Sequence, residues 1–277
     1  MPPLVYVIVV NWNQKQLTLD CLASLAKTDY PNVRLLLVDN GSSDGSAAAA
    51  RKAFPDVEVL ETGSNLLFAG GNNAGMRLAL SSGADFLVLL NNDTLVDPGF
   101  VSRLMERMQQ DLRCSIVAPK ILYAGEPDRL WFAGGAVSLW SGTMRHIGIR
   151  ETDRGQHDSP LEIDYASGCC LMIRRSIVER IGMLDETYRM YGEDTDWCMR
   201  ARRAGYTVWY EPSAKIWHRV SVSVGGHLSW YKQRHKALSN MRFFLRYAAW
   251  YQIPVMMILS PLLNVVAAVR YVLTARR

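Results

Sequence analysis

Three apolar runs in the first third of the chain each break off into a cluster of asparagine and aspartate, and this repeat constrains the fold more than any other feature. Residues 4–10 are seven consecutive apolar residues, rich in β-branched side chains, ending in Asn11-Trp12-Asn13. Residues 33–39 run into Asp39-Asn40-Gly41-Ser42-Ser43-Asp44, and residues 86–90 into Asn91-Asn92-Asp93. An unbroken apolar run of this length reads as a strand buried on both faces. Helical patterns fall between the runs. Residues 14–27 carry apolar side chains at 17, 19, 22, 25 and 26, residues 43–54 hold an alanine run, and residues 72–80 follow a glycine pair. A short strand is expected over 57–60. Pro98 sits where a further helix can begin, with Asp97 as its N-cap. The βαβα order implies an α/β sandwich on a mostly parallel sheet.

Past Pro119 the pattern changes. Residues 121–160 are rich in glycine, tryptophan and turn formers and read as an irregular excursion or hairpin. A strand is expected over 165–174, a short helix over 194–205 and a strand over 207–210. Arg200, Arg202 and Arg203 would complement the dipole at that helix's C-terminal end.

Charge divides the chain. The net value of +5 combines an acidic body, with 21 bases and 26 acids over residues 1–211, and a tail of ten Lys/Arg and no acid over 212–277. An acidic body argues against a nucleic-acid-coating surface and for a tail with a partner of its own. Residues 228–250 read as an amphipathic helix. Residues 247–269 are 23 positions without a charge, bracketed by Arg246 and Arg270 and interrupted by Pro254 and Pro261. Three readings stand for this stretch: a segment lying in or re-entering a bilayer interface, a true span, and a packed or dimer-forming helix. Five cysteines without a CxxC pair indicate neither a disulfide framework nor a zinc knuckle, and suit a reducing, cytoplasmic setting. No secretion signal is expected, because the first apolar run lacks a basic leader.

In parallel α/β sheets ligands bind beyond the carboxyl ends of the strands, where all three polar clusters fall. Asp39 can accept hydrogen bonds from a base or ribose, or cap the following helix, a role that Asp44 fits better. Trp12 can stack on a ligand or simply pack. Asn65 through Asn73, with Gly70 and Gly71, reads as a glycine-bearing loop whose backbone N–H groups can approach a diphosphate, or as an ordinary turn. Asp93 can hold a hard divalent cation or simply mark a turn, and His218 can supply an imidazole ligand or be structural. Glu193 and Asp194 point about 100° apart on a helix, so they play different parts, and one can act as a general base.

Together these residues resemble the family-2 glycosyltransferases, which are inverting enzymes, and within them a bacterial rhamnosyltransferase-like branch. The resemblance runs from Val5 to about Gly226. It is carried by Asn11-Trp12-Asn13, Val38-Asp39-Asn40-Gly41-Ser42-Ser43-Asp44-Gly45-Ser46, Asn65…Phe68-Ala69-Gly70-Gly71-Asn72-Asn73, Leu89-Leu90-Asn91-Asn92-Asp93, Ser167-Gly168-Cys169-Cys170…Arg174-Arg175, Tyr191-Gly192-Glu193-Asp194-Thr195-Asp196 and Trp217-His218. It implies a GT-A fold, a Rossmann-like three-layer α/β sandwich over residues 1–225, with a helical, membrane-associating or dimerising tail over 226–277. It implies a nucleotide-diphosphate-sugar donor contacted by Asn11, Asn13, Asp39, Asn40, Asn65, Gly70, Asn72, Asn91 and Asn92. Asp93 and His218 would hold Mg²⁺ or Mn²⁺, Asp194 would be the catalytic base, and Glu193 would meet the acceptor. Asn91 departs from the family pattern, which has an acid there. The processive-synthase signature Gln-x-x-Arg-Trp is absent. The expected activity is transfer of a sugar, rhamnose being one candidate, to a lipid-linked or polysaccharide acceptor in cell-envelope glycan synthesis. The expected location is the inner face of the cell membrane, with a homodimer as a further expectation. A sugar nucleotidyltransferase would want a glycine- and arginine-rich loop after the first strand, which residues 11–15 do not supply. A silent nucleotide-sugar- or membrane-binding scaffold would have no need of Asp39, Asp93, Asp194 and His218 together.

Overall fold

The computed structural model describes residues 1–220, 230–260 and 263. The first half runs β1 (Val5–Asn11), α1 (Lys15–Leu25), β2 (Val33–Asp39), α2 (Ser46–Ala53), β3 (Glu58–Glu61), α3 (Leu67–Ser81), β4 (Phe86–Asn91), β5 (Thr94–Val96) and α4 (Phe100–Gln110). The second half runs β6 (Cys114–Tyr123), β7 (Glu126–Phe132), β8 (Gly135–Ser138), β9 (Thr143–His146), β10 (Leu161–Glu162), β11 (Cys170–Arg174), α5 (Arg175–Ile181), α6 (Glu193–Arg203), β12 (Thr207–His218) and α7 (Trp230–Tyr247). Residues 253–260 are also helical.

One sheet in the order β10-β12-β6-β11-β4-β1-β2-β3 forms the spine. Its β4-β1-β2-β3 half is parallel, and β1, β2 and β4 are apolar on both faces as the sequence predicts. The other half is mixed. β11 lies antiparallel between β4 and β6, while β12 runs parallel to β6. The direction of β11 decides where the site can form. Cys170, its first residue, pairs with Leu90 near the end of β4, so residues 167–169 arrive at the carboxyl edge of the parallel strands. The same edge receives Asn11, Asp39 and Asn91. It also receives His218, which pairs with Tyr123 at the end of β6 and with Thr94 of β5.

Several boundaries differ from the sequence expectation. α3 begins at Leu67 rather than residue 72, so the glycine-bearing segment is helix rather than loop. An ideal Cβ on Gly75 would stand 2.6 Å from Ile8 Cγ2 and 2.9 Å from Val38 Cγ2, and one on Gly71 would stand 2.9 Å from Val10 Cγ1. Glycine at both positions lets α3 lie close on β1 and β2. α2 starts at Ser46, with Asp44 accepting the Ser46 N–H at 3.0 Å. α4 starts at Phe100. Asp97 accepts the Gly99 N–H at 3.0 Å and so closes a turn just ahead of the helix instead of capping it. The strand expected over 165–174 is confined to Cys170–Arg174, because residues 167–169 turn to meet Asn91 and Asp194. The strand expected over 207–210 continues to His218 across an irregularity between Glu211 and Lys215. The 121–160 excursion is a hairpin of β7 on β6 and a separate two-stranded sheet of β8 and β9. Arg200, Arg202 and Arg203 have specific partners rather than a general role at the helix end. Arg200 pairs with Asp196, Arg202 with Asp164, and Arg203 donates to the Tyr247 carbonyl.

The expected boundary at 225/226, the start of the tail helix at 228 and most of the uncharged stretch beyond 260 lie outside the described residues. Within them, α7 packs directly on the body. Phe243, Phe244 and Tyr247 form a buried cluster with Tyr188. The Tyr247 hydroxyl donates to Asp196 Oδ1 at 2.7 Å, Arg246 reaches the same oxygen at 3.0 Å, and the Ser239 hydroxyl donates to the Met190 carbonyl at 2.8 Å. No helix among the described residues is long and apolar enough to cross a membrane.

Candidate active site

The strand ends are joined by a net of short polar side chains. Asn11 donates to Asp39 Oδ1 and to Ser42 Oγ, both at 3.1 Å. Its own oxygen accepts from Thr18 at 2.8 Å, Asn92 at 3.1 Å and the Gln14 N–H at 3.2 Å. Asn92 donates also to Thr18 at 2.9 Å, so its side chain faces inward. Asn40 donates to Asn65 and to the Leu67 carbonyl, and its oxygen accepts the Leu66 N–H at 3.0 Å. Asn65 in turn accepts the Leu67 N–H at 2.8 Å, and together these asparagines take up N–H groups where α3 begins. Asn13 accepts the Ser43 N–H at 2.7 Å. Asn72 is buried and donates to the Phe68 carbonyl within α3. Gly70 lies in the first turns of that helix beside Leu66 and Glu186. Asn11, Asn40, Asn65, Asn72 and Asn92 thus hold loops and a helix start in shape around any ligand. The structure brings Asp39, Asn91 and Asp93 to the edge itself. Trp12 is exposed.

Asp93 and His218 are neighbours. Asp93 Oδ1 stands 3.1 Å from His218 Nε2, and the Arg219 N–H donates to the Asp93 carbonyl at 2.8 Å. Both side chains are buried, and His218 Nδ1 has no hydrogen-bond partner among the described residues. Trp131 meets the His218 ring edge-on at 4.7 Å and the His146 ring at 4.6 Å. Burial pushes His146 down to about 4, so this wall is neutral at physiological pH. A cleft of about 440 Å³ is lined by Leu17, Tyr123, Glu126, His218 and Arg219. The Asp93–His218 pair fits a divalent cation. Two ligands about 2.1 Å from one octahedral ion stand about 3 Å apart, and a carboxylate with an imidazole suits Mn²⁺ or Mg²⁺. No third His, Cys, Asp or Glu joins them among the described residues, so substrate oxygens and water would have to complete the coordination of such an ion.

Asp194 reaches the same edge through Gly168. Its Oδ2 accepts the Gly168 N–H at 2.7 Å, and its Oδ1 accepts the Thr195 N–H at 2.6 Å and hydroxyl at 3.2 Å. The next carbonyl along, that of Cys169, accepts the Asn91 N–H at 2.9 Å. Asp194 and Asp93 are therefore tethered to one short stretch of backbone. Burial raises both acids of the pair. Glu193 is pushed up to about 8 by burial and then by the Asp194 charge, and its Oε2 has no hydrogen-bond partner among the described residues. Asp194 is raised by burial and drawn back by its three donors. The hydrogen bonds favour ionised Asp194, while Glu193 keeps its proton at neutral pH. Strain gathers here too. Asn13, Leu67 and Tyr191 hold positive φ values of 53°, 61° and 68° without being glycine and flank the Asn11 cluster, the start of α3 and Glu193, while Arg150, at 66°, lies in the excursion.

Gly168, Thr18, Ser42 and the Trp131–His146 wall were not identified from the sequence as site residues. Gly168 stands in a recognised motif, but its role depends on the Asp194 contact. Trp131 and His146 lie in the segment read as irregular.

The fold that presents this carboxylate–imidazole pair and buried acid pair at its carboxyl edge is of the GT-A type. The glycosyl transferase family 2 model matches residues 6–182, and the chain belongs to that family. The N-acetylglucosaminyl-diphospho-decaprenol L-rhamnosyltransferase of Mycobacterium tuberculosis is 29% identical over 255 residues, spanning 84% of this chain and 81% of that protein. The dTDP-rhamnosyl transferase RfbF of Shigella flexneri is 24% identical, spanning 80% and 72%. Among solved structures, a mannosyltransferase from Pyrobaculum calidifontis in complex with GDP-Man and Mn²⁺ superposes with a TM-score of 0.66 at 17% identity, covering 94% of this chain and 70% of that one.

Proposed function

We propose that this glycosyltransferase moves a sugar, rhamnose in the first instance, from a nucleotide-diphosphate donor to a hydroxyl of a lipid-linked glycan acceptor, with inversion. The observation that carries the reading is the attachment of Asp93–His218 and Asp194 to one sheet edge through Asn91, Cys169 and Gly168. The rhamnosyl transfer named for two relatives, and the diphospho-decaprenol acceptor named for one, support the choice of sugar and acceptor. The chemistry of such an acceptor suits work at the inner face of the cell membrane.

In this mechanism Asp39, fixed by Asn11 and the Ser42 N–H, receives the base or ribose of the donor. Asn91 ends β4, on the other side of β1 from Asp39. Asp93 and His218 would hold Mg²⁺ or Mn²⁺, whose charge would offset that of the departing diphosphate. Asp194, oriented by Gly168 and Thr195, takes the proton of the acceptor hydroxyl as its oxygen attacks the anomeric carbon from the face opposite the diphosphate. Protonated Glu193 donates a hydrogen bond to the acceptor beside it. A positioned base is worth on the order of 10²–10⁴-fold.

The test is turnover of a panel of nucleotide sugars on a polyprenyl-diphosphate N-acetylglucosamine acceptor, with and without chelator. The reading expects dTDP-rhamnose to be used and activity to return with Mn²⁺ or Mg²⁺. Turnover of other donors only would remove the rhamnose assignment, and full activity in chelator would remove the metal.

A further inference from the structure

We infer that the protein docks on an anionic lipid surface through one face built from two distant segments, the β8–β9 turn and residues 250–260. The inference deepens the reading of a lipid-linked acceptor by identifying where the body meets the lipid. The turn presents Trp140, 53% exposed, whose ring lies 5.8 Å from that of Tyr251. Tyr251 lies 5.8 Å from Trp250, which is 82% exposed. The helical residues that follow expose Met257 at 71% and Ile258 at 66%. The two segments are packed together: a Cβ on Gly142 would run into the Met256 side chain, and the Ser260 hydroxyl donates to the Gly142 carbonyl at 3.5 Å. Large apolar side chains ringed by tryptophan and tyrosine match the chemistry of a bilayer interface, where amphipathic rings sit at headgroup level.

Charge selects the occupant. Residues 212–277 contain ten Lys/Arg and no acid, and Arg234 on α7 is exposed. A second copy of this face would bring like charges together, whereas anionic headgroups attract them. The side of α7 turned away from Arg234 buries Phe243, Phe244 and Tyr247 against the body and bonds Asp196 on α6, the helix that opens with Glu193 and Asp194. The docking face is thus continuous with the framework of the acid pair.

The test is sedimentation of the full chain with vesicles of phosphatidylcholine alone and of phosphatidylcholine with an equal part of phosphatidylglycerol. The protein should pellet with the anionic vesicles and be released by salt. The exposed variant Trp140→Ser/Trp250→Ser/Ile258→Ser should weaken binding about tenfold or more. Arg234→Glu should weaken it by about fivefold or more. Circular dichroism and donor binding should be unchanged in both. Absence of binding to anionic vesicles, or equal binding by the serine variant, would overturn the inference. So would a change from dimer to monomer with vesicle binding intact, which would assign the face to a second copy. Vesicle binding needs neither donor nor acceptor, so its outcome is separate from that of the transfer chemistry.

Discussion

Asp194 and Glu193 are adjacent acids with opposite burdens. Asp194 is held by three donors, whereas Glu193 is buried with one oxygen unpartnered among the described residues. The folded chain retains a proton on Glu193 up to about pH 8, while the unfolded chain releases it near 4.5. Between those values the native state binds more protons, so stability is greatest below the unfolded value and falls as pH rises through about 8. Glu193→Gln should flatten that decline and raise the melting temperature at pH 8 relative to the parent, as read by thermal melts across pH. At the Asp93–His218 pair, Asp93→Asn and His218→Ala should each weaken Mn²⁺-dependent donor binding about tenfold or more by calorimetry, as loss of one of the two proposed protein ligands implies. The positions of Asp39, Asp93 and His218 at the sheet edge were legible because they end or follow recognisable strands, and that of Asp194 because it belongs to a cluster of acids opening a helix. The inward roles of Asn11 and Asn92 were not. An asparagine at a strand end can face a ligand or a neighbouring loop, and only the position of Thr18 settles which.

At the scale of elements, the strands were read well where both faces are buried and poorly where they are not. β1, β2 and β4 announce themselves as apolar runs. β12 continues past Tyr210 through Glu211-Pro212-Ser213, an interruption that looks like a turn in sequence but is a register shift against β6. α3 was read five residues short because glycine and asparagine are poor helix formers, and tertiary packing overrides that preference. Gly75→Ala tests the packing. Alanine gains about 1 kcal/mol of helix propensity, but its Cβ would overlap Ile8 and Val38, which are core side chains and cannot yield. A net loss of about 1–3 kcal/mol is expected, seen as a lower urea midpoint.

Over the whole molecule, the acidic body and basic tail were legible as charge, but not the fact that α7 seals the body. Asp196 is fully buried and balanced by Arg200, Arg246 and the Tyr247 hydroxyl, two of which come from the tail. Tyr247→Phe should cost about 1–3 kcal/mol by leaving that carboxylate short of a donor, measurable as a fall in melting temperature. The site depends on the same closure, because α6 carries the acid pair at its first turn. The most direct measurement of the central claim is the split between donor binding and turnover in Asp194→Asn. The account predicts donor affinity within about twofold of the parent and turnover reduced on the order of 10²–10⁴-fold. Near-normal turnover in that variant would contradict it.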